Sequence, residues 1–481
     1  MIRLLCRLVA GVAVLGVLRA EDGKIPITTS SPEARDHFLA GRTLADNLRL
    51  TDAVPHFQKA AELDPTFALA HLYLAQTAPT AKEFFAYLKQ ADELSAKASA
   101  GERLWINGAR AGAYADAAGQ LKTYEELAGR FPRDERAQTL LGIAHFAQQN
   151  YSAAADNLKR ATEINPAFAP AYNQLGYAYR FLDRYDEAEK TFRKYTELIP
   201  DDPNPYDSYA ELLLKMGRFE ESIIQYQKAL EINRYFANSY AGIAAALAYQ
   251  GRHQQARDAL ATALDLARTD GERRAALFTL TVVYLDEGKT ELALHEVEKQ
   301  FDLGKNINDA AAMAGDLILE GNILLEAGKA DDAWKDFAKA ANMIKQSGLA
   351  PEIRENAALI YHYNAGRAAV GKKDLAAATK EAKLFRKGVL AKNNINQIRL
   401  ASELEGGIAL EAGDYKKAVE LLQSANQQNP YNLYRLALAH KALGKVTEAR
   451  EFCTRAARFN VLPTPNYAFV RMKAQKMLDN I

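Results

Sequence analysis

From Glu135 to Asp202 the small and apolar positions recur in two segments of equal length. Glu135–Phe168 can be laid on Ala169–Asp202 so that Gly142 matches Gly176, Tyr151 matches Tyr185, Ala154 matches Ala188, Leu158 matches Phe192 and Pro166 matches Pro200. Each pair is 34 residues apart. Within a segment the apolar residues return at helical spacing on two stretches, separated by a short turn. This predicts two amphipathic helices per segment, and the fixed period predicts stacked supersecondary units. Gly142/Gly176 and Ala154/Ala188 are small where antiparallel helices, packed about 8–10 Å apart, bring their backbones closest. Leu141/Leu175 and Leu158/Phe192 fill the space around those contacts. Pro166 and Pro200 end the second helix, because proline has no N–H for the ladder and its ring disfavours continuation.

The same register reaches well beyond the pair. In Ala34–Phe67 it carries Gly41, Ala53, Phe57, Ala60 and Pro65. The next unit, Ala68–Ala100, is damaged: Pro79 cuts its first helix short, and its second is expected over 81–98. Ser99-x-x-Glu102 is a capping box that opens the unit Gly101–Asp134. Pro203–Phe236 and Ala237–Asp270 keep the period, with Arg234 and Arg268 in the proline slots. Beyond Asp270 the period loosens: the turn glycines of the series 217, 251, 288, 328, 371, 413 and 444 stand 34, 37, 40, 43, 42 and 31 residues apart. Longer helices or loops are expected there, with Phe301–Asn308 and Lys345–Pro351 as irregular connectors. Pro463-Thr464-Pro465 closes the last repeat. Tyr467–Asn480 then reads as a terminal capping helix, with Arg471, Lys473, Lys476 and Asp479 on a polar outer face. No stretch alternates as a strand does. The chain thus divides into a leader (1–20), a linker (21–33), a regular array (34–270), a divergent array (271–462) and a cap (463–481). About eleven or twelve repeats are expected.

One segment carries Tyr172, Leu175-Gly176, Tyr179, Ala188, Phe192 and Pro200 at fixed spacing, and this pattern resembles the tetratricopeptide repeat family. Tyr195 departs from it, standing where the family usually has a small residue. The resemblance implies an all-α, right-handed superhelical solenoid of helix-turn-helix repeats. It also implies a concave groove, lined by the first helix of each repeat, that grips peptides. The corresponding face carries Asn173, Tyr177 and Arg180 at i, i+4 and i+7, then Asp207 and Glu211 at i and i+4. Tyrosine and arginine are enriched at binding hot spots, so these five are the candidate protein-binding residues. The family's Lys/Asn/Arg clamp for a terminal carboxylate is not reproduced: its slots hold Phe38, Arg42, Tyr73, Glu102 and Ile106.

Composition adds a compartment and little chemistry. Of the 481 residues 48% are apolar and 25% charged, and the net charge is +1, so no bulk attraction to nucleic acid or membrane is implied. Arg3 and Arg7 precede the apolar run Leu8–Leu18, the layout of a secretory signal peptide. The run is shorter than the roughly 20 residues that span a bilayer. Leu18 and Arg19 are unusual next to a cleavage site. Loss of residues 1–20 removes three arginines and no acid, taking the net charge from +1 to −2. Cys6 leaves with the leader, and Cys453 reads as a small buried hydrophobe. None of the eight histidines has a metal-ligand spacing. No phosphate-binding loop or nucleophile elbow is present. The expectation is a non-catalytic, exported scaffold in the cell envelope, without cofactor or metal, whose groove holds a protein or peptide and not nucleic acid. The alternative is an accessory subunit that binds a glycan or an anionic lipid surface. It would use the inner aromatic face or the basic tract Lys372–Arg399, which carries a local excess of six positive charges.

Overall fold

The computed structural model describes residues 23–47 and 49–481. The signal peptide expected at 1–20 lies outside the described residues. Among those residues the chain forms 25 α-helices and no strand. The first repeats are α1 (Pro32–Asp46) with α2 (Leu50–Leu63), α3 (Ala68–Gln76) with α4 (Ala81–Ser95), and α5 (Ala100–Ala113) with α6 (Ala117–Arg130). Next come α7 (Glu135–Ala147) with α8 (Tyr151–Ile164) and α9 (Ala169–Phe181) with α10 (Tyr185–Leu198). They are followed by α11 (Pro203–Lys215) with α12 (Phe219–Ile232) and α13 (Ala237–Tyr249) with α14 (His253–Leu266). The longer pairs are α15 (Asp270–Asp286) with α16 (Thr290–Asn306), α17 (Ala310–Glu326) with α18 (Ala330–Gln346), and α19 (Pro351–Gly371) with α20 (Leu375–Ala391). The array ends with α21 (Ile395–Glu411) and α22 (Tyr415–Gln423), α23 (Pro430–Ala442) and α24 (Val446–Ala457), and a final helix α25 (Pro465–Leu478). Twelve helix pairs and one cap result.

The small residues sit where the backbones cross. A Cβ added at Gly142 would lie 2.7 Å from Leu158 Cγ, and one at Gly176 would lie 2.6 Å from the Phe192 ring. Tyr195 is fully buried and fits because its hydroxyl accepts a bond from Asn204 Nδ2 at 2.7 Å. From α5 onward most of the turns inside the repeats contain one left-handed residue. Gly217, Gly251, Gly288, Gly328, Gly413 and Gly444 supply it, each with φ between +74° and +79°. Gly371 was expected in this role, but it belongs to α19, and Lys373 takes the turn position with φ 61°.

The period stretches after Asp270 because the helices lengthen. α15, α16, α17, α18, α20 and α21 have 17 residues each, against 13 or 14 in α7 to α14. The difference is about one helical turn. The irregular connector expected at Phe301–Asn308 is a correction: α16 stays helical to Asn306.

First helices of successive repeats touch one another, as in α7 with α9, α9 with α11 and α11 with α13. Second helices make at most marginal contact, so the first helices line the inner side of the curve. The curve is tight enough for later repeats to meet earlier ones. Asn394 donates to the Ala115 carbonyl at 2.8 Å, Gln149 to Asn426 at 2.8 Å and Lys215 to the Phe459 carbonyl at 2.8 Å. The cap α25 packs against α15 as well as α23 and α24. Of the polar outer face expected there, Lys473, Lys476 and Asp479 are exposed, and Arg471 alone is a correction. Arg471 is buried against Asp286, and Lys473 bonds Glu326 at 2.6 Å. Among the described residues no helix is long and apolar enough to cross a membrane.

Candidate functional site

The structure places the five candidate residues side by side on α9 and α11, in separate polar contacts. Arg180 on α9 donates to Glu211 Oε2 on α11 at 2.9 Å, and its guanidinium carbon lies 5.4 Å from the Tyr177 ring centre. Ser208 donates to Asn173 Oδ1 at 3.0 Å, and the Tyr177 hydroxyl reaches Ser208 Oγ at 3.4 Å. Ser239 on α13 donates to Asp207 Oδ1 at 2.7 Å. Asn173, Arg180 and Asp207 are all buried. The contacting positions lie 31 to 35 residues apart, because neighbouring first helices meet along equivalent stripes. Burial, reinforced by the Glu211 charge and opposed by the Ser239 bond, pushes the Asp207 carboxyl up to about 8. Burial also raises the Tyr177 hydroxyl well above its ordinary range. These groups are satisfied by one another and form the floor of the inner face.

Open chemistry lies nearer the N-terminus, around a segment the sequence marks only as a linker. Residues 24–30 carry no helix or strand and run across the N-terminal ends of the first helices. Ile25 N–H donates to Asp134 Oδ2 at 2.8 Å, Thr28 N–H to Glu102 Oε1 at 2.8 Å and Ser30 N–H to Asp64 Oδ2 at 3.1 Å. Lys24 pairs with Glu135. Burial raises the Asp64 carboxyl, but bonds from Thr29, Thr66 and Ser30 outweigh it and hold the group at about 2. Each acceptor also caps a helix or turn. Glu102 completes the Ser99 capping box, and Asp134 accepts from Ala137 N–H at 2.8 Å.

Beside this segment is a cleft of about 490 Å³, lined among others by Arg42, Trp105, Arg136, Phe168, Pro170 and Ile199. Arg136 is spoken for: it donates to both Asp46 oxygens at 2.8 and 3.0 Å, and its guanidinium carbon lies 4.9 Å from the Phe168 ring centre. Burial opposes its charge, but Asp46 more than compensates. Arg42 makes no ion pair among the described residues. Burial and the neighbouring Arg136 lower its pKa, against Asp46 and Asp134, which raise it. Of the old clamp slots, Phe38, Tyr73 and Ile106 are packed into the core, which leaves Arg42 as the group facing the cleft. Sequence reasoning missed Arg136, Trp105 and Phe168, although Phe168 ends its repeat as Phe67 and Phe236 end theirs. Trp105, one of two tryptophans, was the other available hint.

The basic tract separates into paired and free groups. Lys372 pairs with Asp331, Arg386 donates to Glu405 Oε1 at 3.0 Å, and Arg399 donates to the Gln148 carbonyl at 3.1 Å. Lys380, Lys383 and Lys387 remain exposed on α20, beside exposed Leu384 and Leu390. Cys453 is buried, with Sγ 3.1 Å from the Ala474 carbonyl.

Sequence models of the tetratricopeptide repeat match residues 109–170, 145–212, 204–236 and 409–471. Among solved structures, the MamA protein is 20% identical, with 34% of this chain and 91% of that one aligned at a TM-score of 0.30. A tetratricopeptide repeat protein from Parabacteroides merdae is 16% identical, over 54% of this chain and 98% of that one, with a TM-score of 0.37. A thermophilic TPR protein of Thermus thermophilus is 24% identical, over 44% and 98%, with a TM-score of 0.29. No curated protein matches the chain.

Proposed function

Because this chain belongs to the tetratricopeptide repeat family, we propose that it is a non-catalytic protein-interaction scaffold whose N-terminal repeats hold an extended, acidic segment of a partner protein. The observation that carries this reading is the chain's own segment 24–30. It lies extended across the first helices, and Asp134, Glu102 and Asp64 grip its backbone N–H groups. The adjoining cleft offers Arg42 without a counter-ion between aromatic walls. Arginine beside tryptophan is hot-spot chemistry, and a partner carboxylate can accept from the Arg42 guanidinium. In this reading Asn173, Tyr177, Arg180, Asp207 and Glu211 stiffen the groove floor and leave recognition to the cleft. Fluorescence anisotropy against a set of extended peptides tests it. Acidic peptides bind the wild type, Arg42→Glu loses them, and Tyr177→Phe keeps them. An unchanged peptide preference in Arg42→Glu overturns the reading.

We place the scaffold in the cell envelope, on the strength of Arg3, Arg7 and the apolar run Leu8–Leu18. Fractionation with N-terminal sequencing checks this, and a full-length cytoplasmic product contradicts it. A second reading, contact with an anionic lipid surface, is favoured by one observation: Lys380, Lys383 and Lys387 share the exposed face of α20 with Leu384 and Leu390. Co-sedimentation with anionic vesicles, lost on charge reversal of the three lysines, supports it.

A further inference from the structure

The last repeats form a second pocket, half open to solvent and remote from the N-terminal cleft. It measures about 150 Å³, room for about five water molecules. Its ionisable lining consists of Glu326 on α17, Tyr363 and Arg367 on α19, Glu403 on α21, and Tyr431 and Arg435 on α23.

Both carboxylates are already satisfied. Glu403 accepts from the Tyr363 hydroxyl at 2.8 Å, Asn432 Nδ2 at 2.8 Å and Asn429 Nδ2 at 3.1 Å. Glu326 accepts from the Tyr431 hydroxyl and from Lys473 Nζ, the latter at 2.6 Å.

The guanidinium groups keep free donors that face the pocket and its solvent. Each carries five N–H donors in a planar fork. Arg367 uses one of them, to Asn322 Oδ1 at 2.7 Å. Arg435 makes only long contacts of 3.4 Å, to Glu403 Oε1 and Asn432 Oδ1. Each guanidinium also lies over a tyrosine, at 4.3 Å from the Tyr431 ring centre for Arg435 and 5.4 Å from that of Tyr363 for Arg367. Stacking on a ring fixes the plane of the fork and leaves its edge to bond in-plane.

Charge points the same way. Lys473, half-exposed and outside the lining, pairs with Glu326, so within the lining Arg367 and Arg435 share the one carboxylate Glu403 and one positive charge is left over. Water satisfies N–H groups but does not cancel that charge. A monovalent oxyanion does both, and the guanidinium fork matches the paired oxygens of a carboxylate or a phosphate.

We propose that this cavity binds one small oxyanion group, a carboxylate or a phosphate, between Arg367 and Arg435. The site is independent of the peptide reading above: it lies in repeats nine to twelve and shares no residue with the N-terminal cleft.

The full chain is titrated with inorganic phosphate and, separately, with acetate, each against chloride at matched ionic strength. Calorimetry and thermal melting are the readouts. At least one anion binds and raises the melting temperature with concentration. Arg367→Gln weakens that binding at least about ten-fold, the loss expected from a charge-assisted hydrogen bond. Arg367 bonds only Asn322, so this variant folds even where Arg435→Gln, which touches the Glu403 cluster, does not. Lys380→Gln, an exposed lysine, serves as the control and binds like the wild type. Binding of phosphate alone identifies a phosphate-bearing ligand, and binding of acetate alone identifies a carboxylate. The proposal is overturned if neither anion binds, or if Arg367→Gln binds as tightly as the wild type.

Discussion

Arg471 on the last helix is paired with Asp286, 185 residues earlier in the chain. Its Nε donates to Oδ1 at 2.7 Å, a terminal nitrogen donates to Oδ2, and His253 Nε2 lies 2.9 Å from the same Oδ2. Both partners of the pair are buried. A repeat array is stabilised chiefly between neighbours. This pair instead ties the cap to the eighth repeat and closes the second half of the array on itself.

Arg471→Ala leaves buried Asp286 with only His253 beside it, which destabilises by up to about 3–5 kcal/mol, the cost of breaking a buried pair. The loss is local, since long repeat arrays need not unfold in one step. Hydrogen exchange shows it as lost protection in α25 and α15, with α7 and α8 unchanged. Replacing both partners with apolar residues of similar size recovers most of the loss. Uniform loss of protection along the chain contradicts the latch.

Asp207 gives a pH dependence of known sign. Its folded pKa of about 8 lies above the unfolded value, which is about 3.9. Between those limits the folded state holds the proton more tightly, so stability falls as pH rises and levels off above pH 8. The slope from this one group is at most about 1.4 kcal/mol per pH unit. Urea unfolding of wild type and Asp207→Asn from pH 5 to 8 isolates it: the slope is shallower in the variant. Identical slopes rule the effect out.

Two glycine-to-alanine changes of opposite sign test the packing. A Cβ at Gly242 would fall within the ring of Tyr226, which is fully buried. Gly242→Ala therefore costs about 1–3 kcal/mol by overpacking. Gly315, inside α17, has nothing within 4 Å of an added Cβ. Gly315→Ala gains about 0.5–1 kcal/mol from helix propensity alone. Thermal melts of the two variants move in opposite directions.

Glu102 serves two structures at once. One oxygen accepts Ser99 N–H in the capping box and the other accepts Thr28 N–H in the N-terminal segment, both at 2.8 Å. Glu102→Ala removes both bonds. Loss of the box costs about 1 kcal/mol, and the segment is released as well. Protease cleavage within 24–30 then speeds up, and exchange of the Ile25 and Thr28 amides rises. A variant with unchanged cleavage shows that Asp134 and Asp64 suffice to hold the segment.

The repeat was legible because its packing is local in sequence. Gly176 must be small since Phe192 lies against it, and the same pair recurs one repeat away as Gly142 and Leu158. Helix, turn and pairing all follow from contacts that return at a fixed interval. The Asn173–Tyr177–Arg180 stripe was legible as a stripe, but its burial was not. Arg180 meets Glu211 only after two first helices pack side by side. Arg42, without an ion pair among the described residues, the crossing of the 24–30 segment and the pocket between Arg367 and Arg435 left no periodic trace. They depend on how far each repeat rotates on the last, a small angle summed over many units, which brings residues such as Arg471 and Asp286 together with no pattern between them. By itself the sequence determined the helices, their pairing and the neighbour contacts. Only the tertiary structure decided where the array closes and which charges it leaves without a partner.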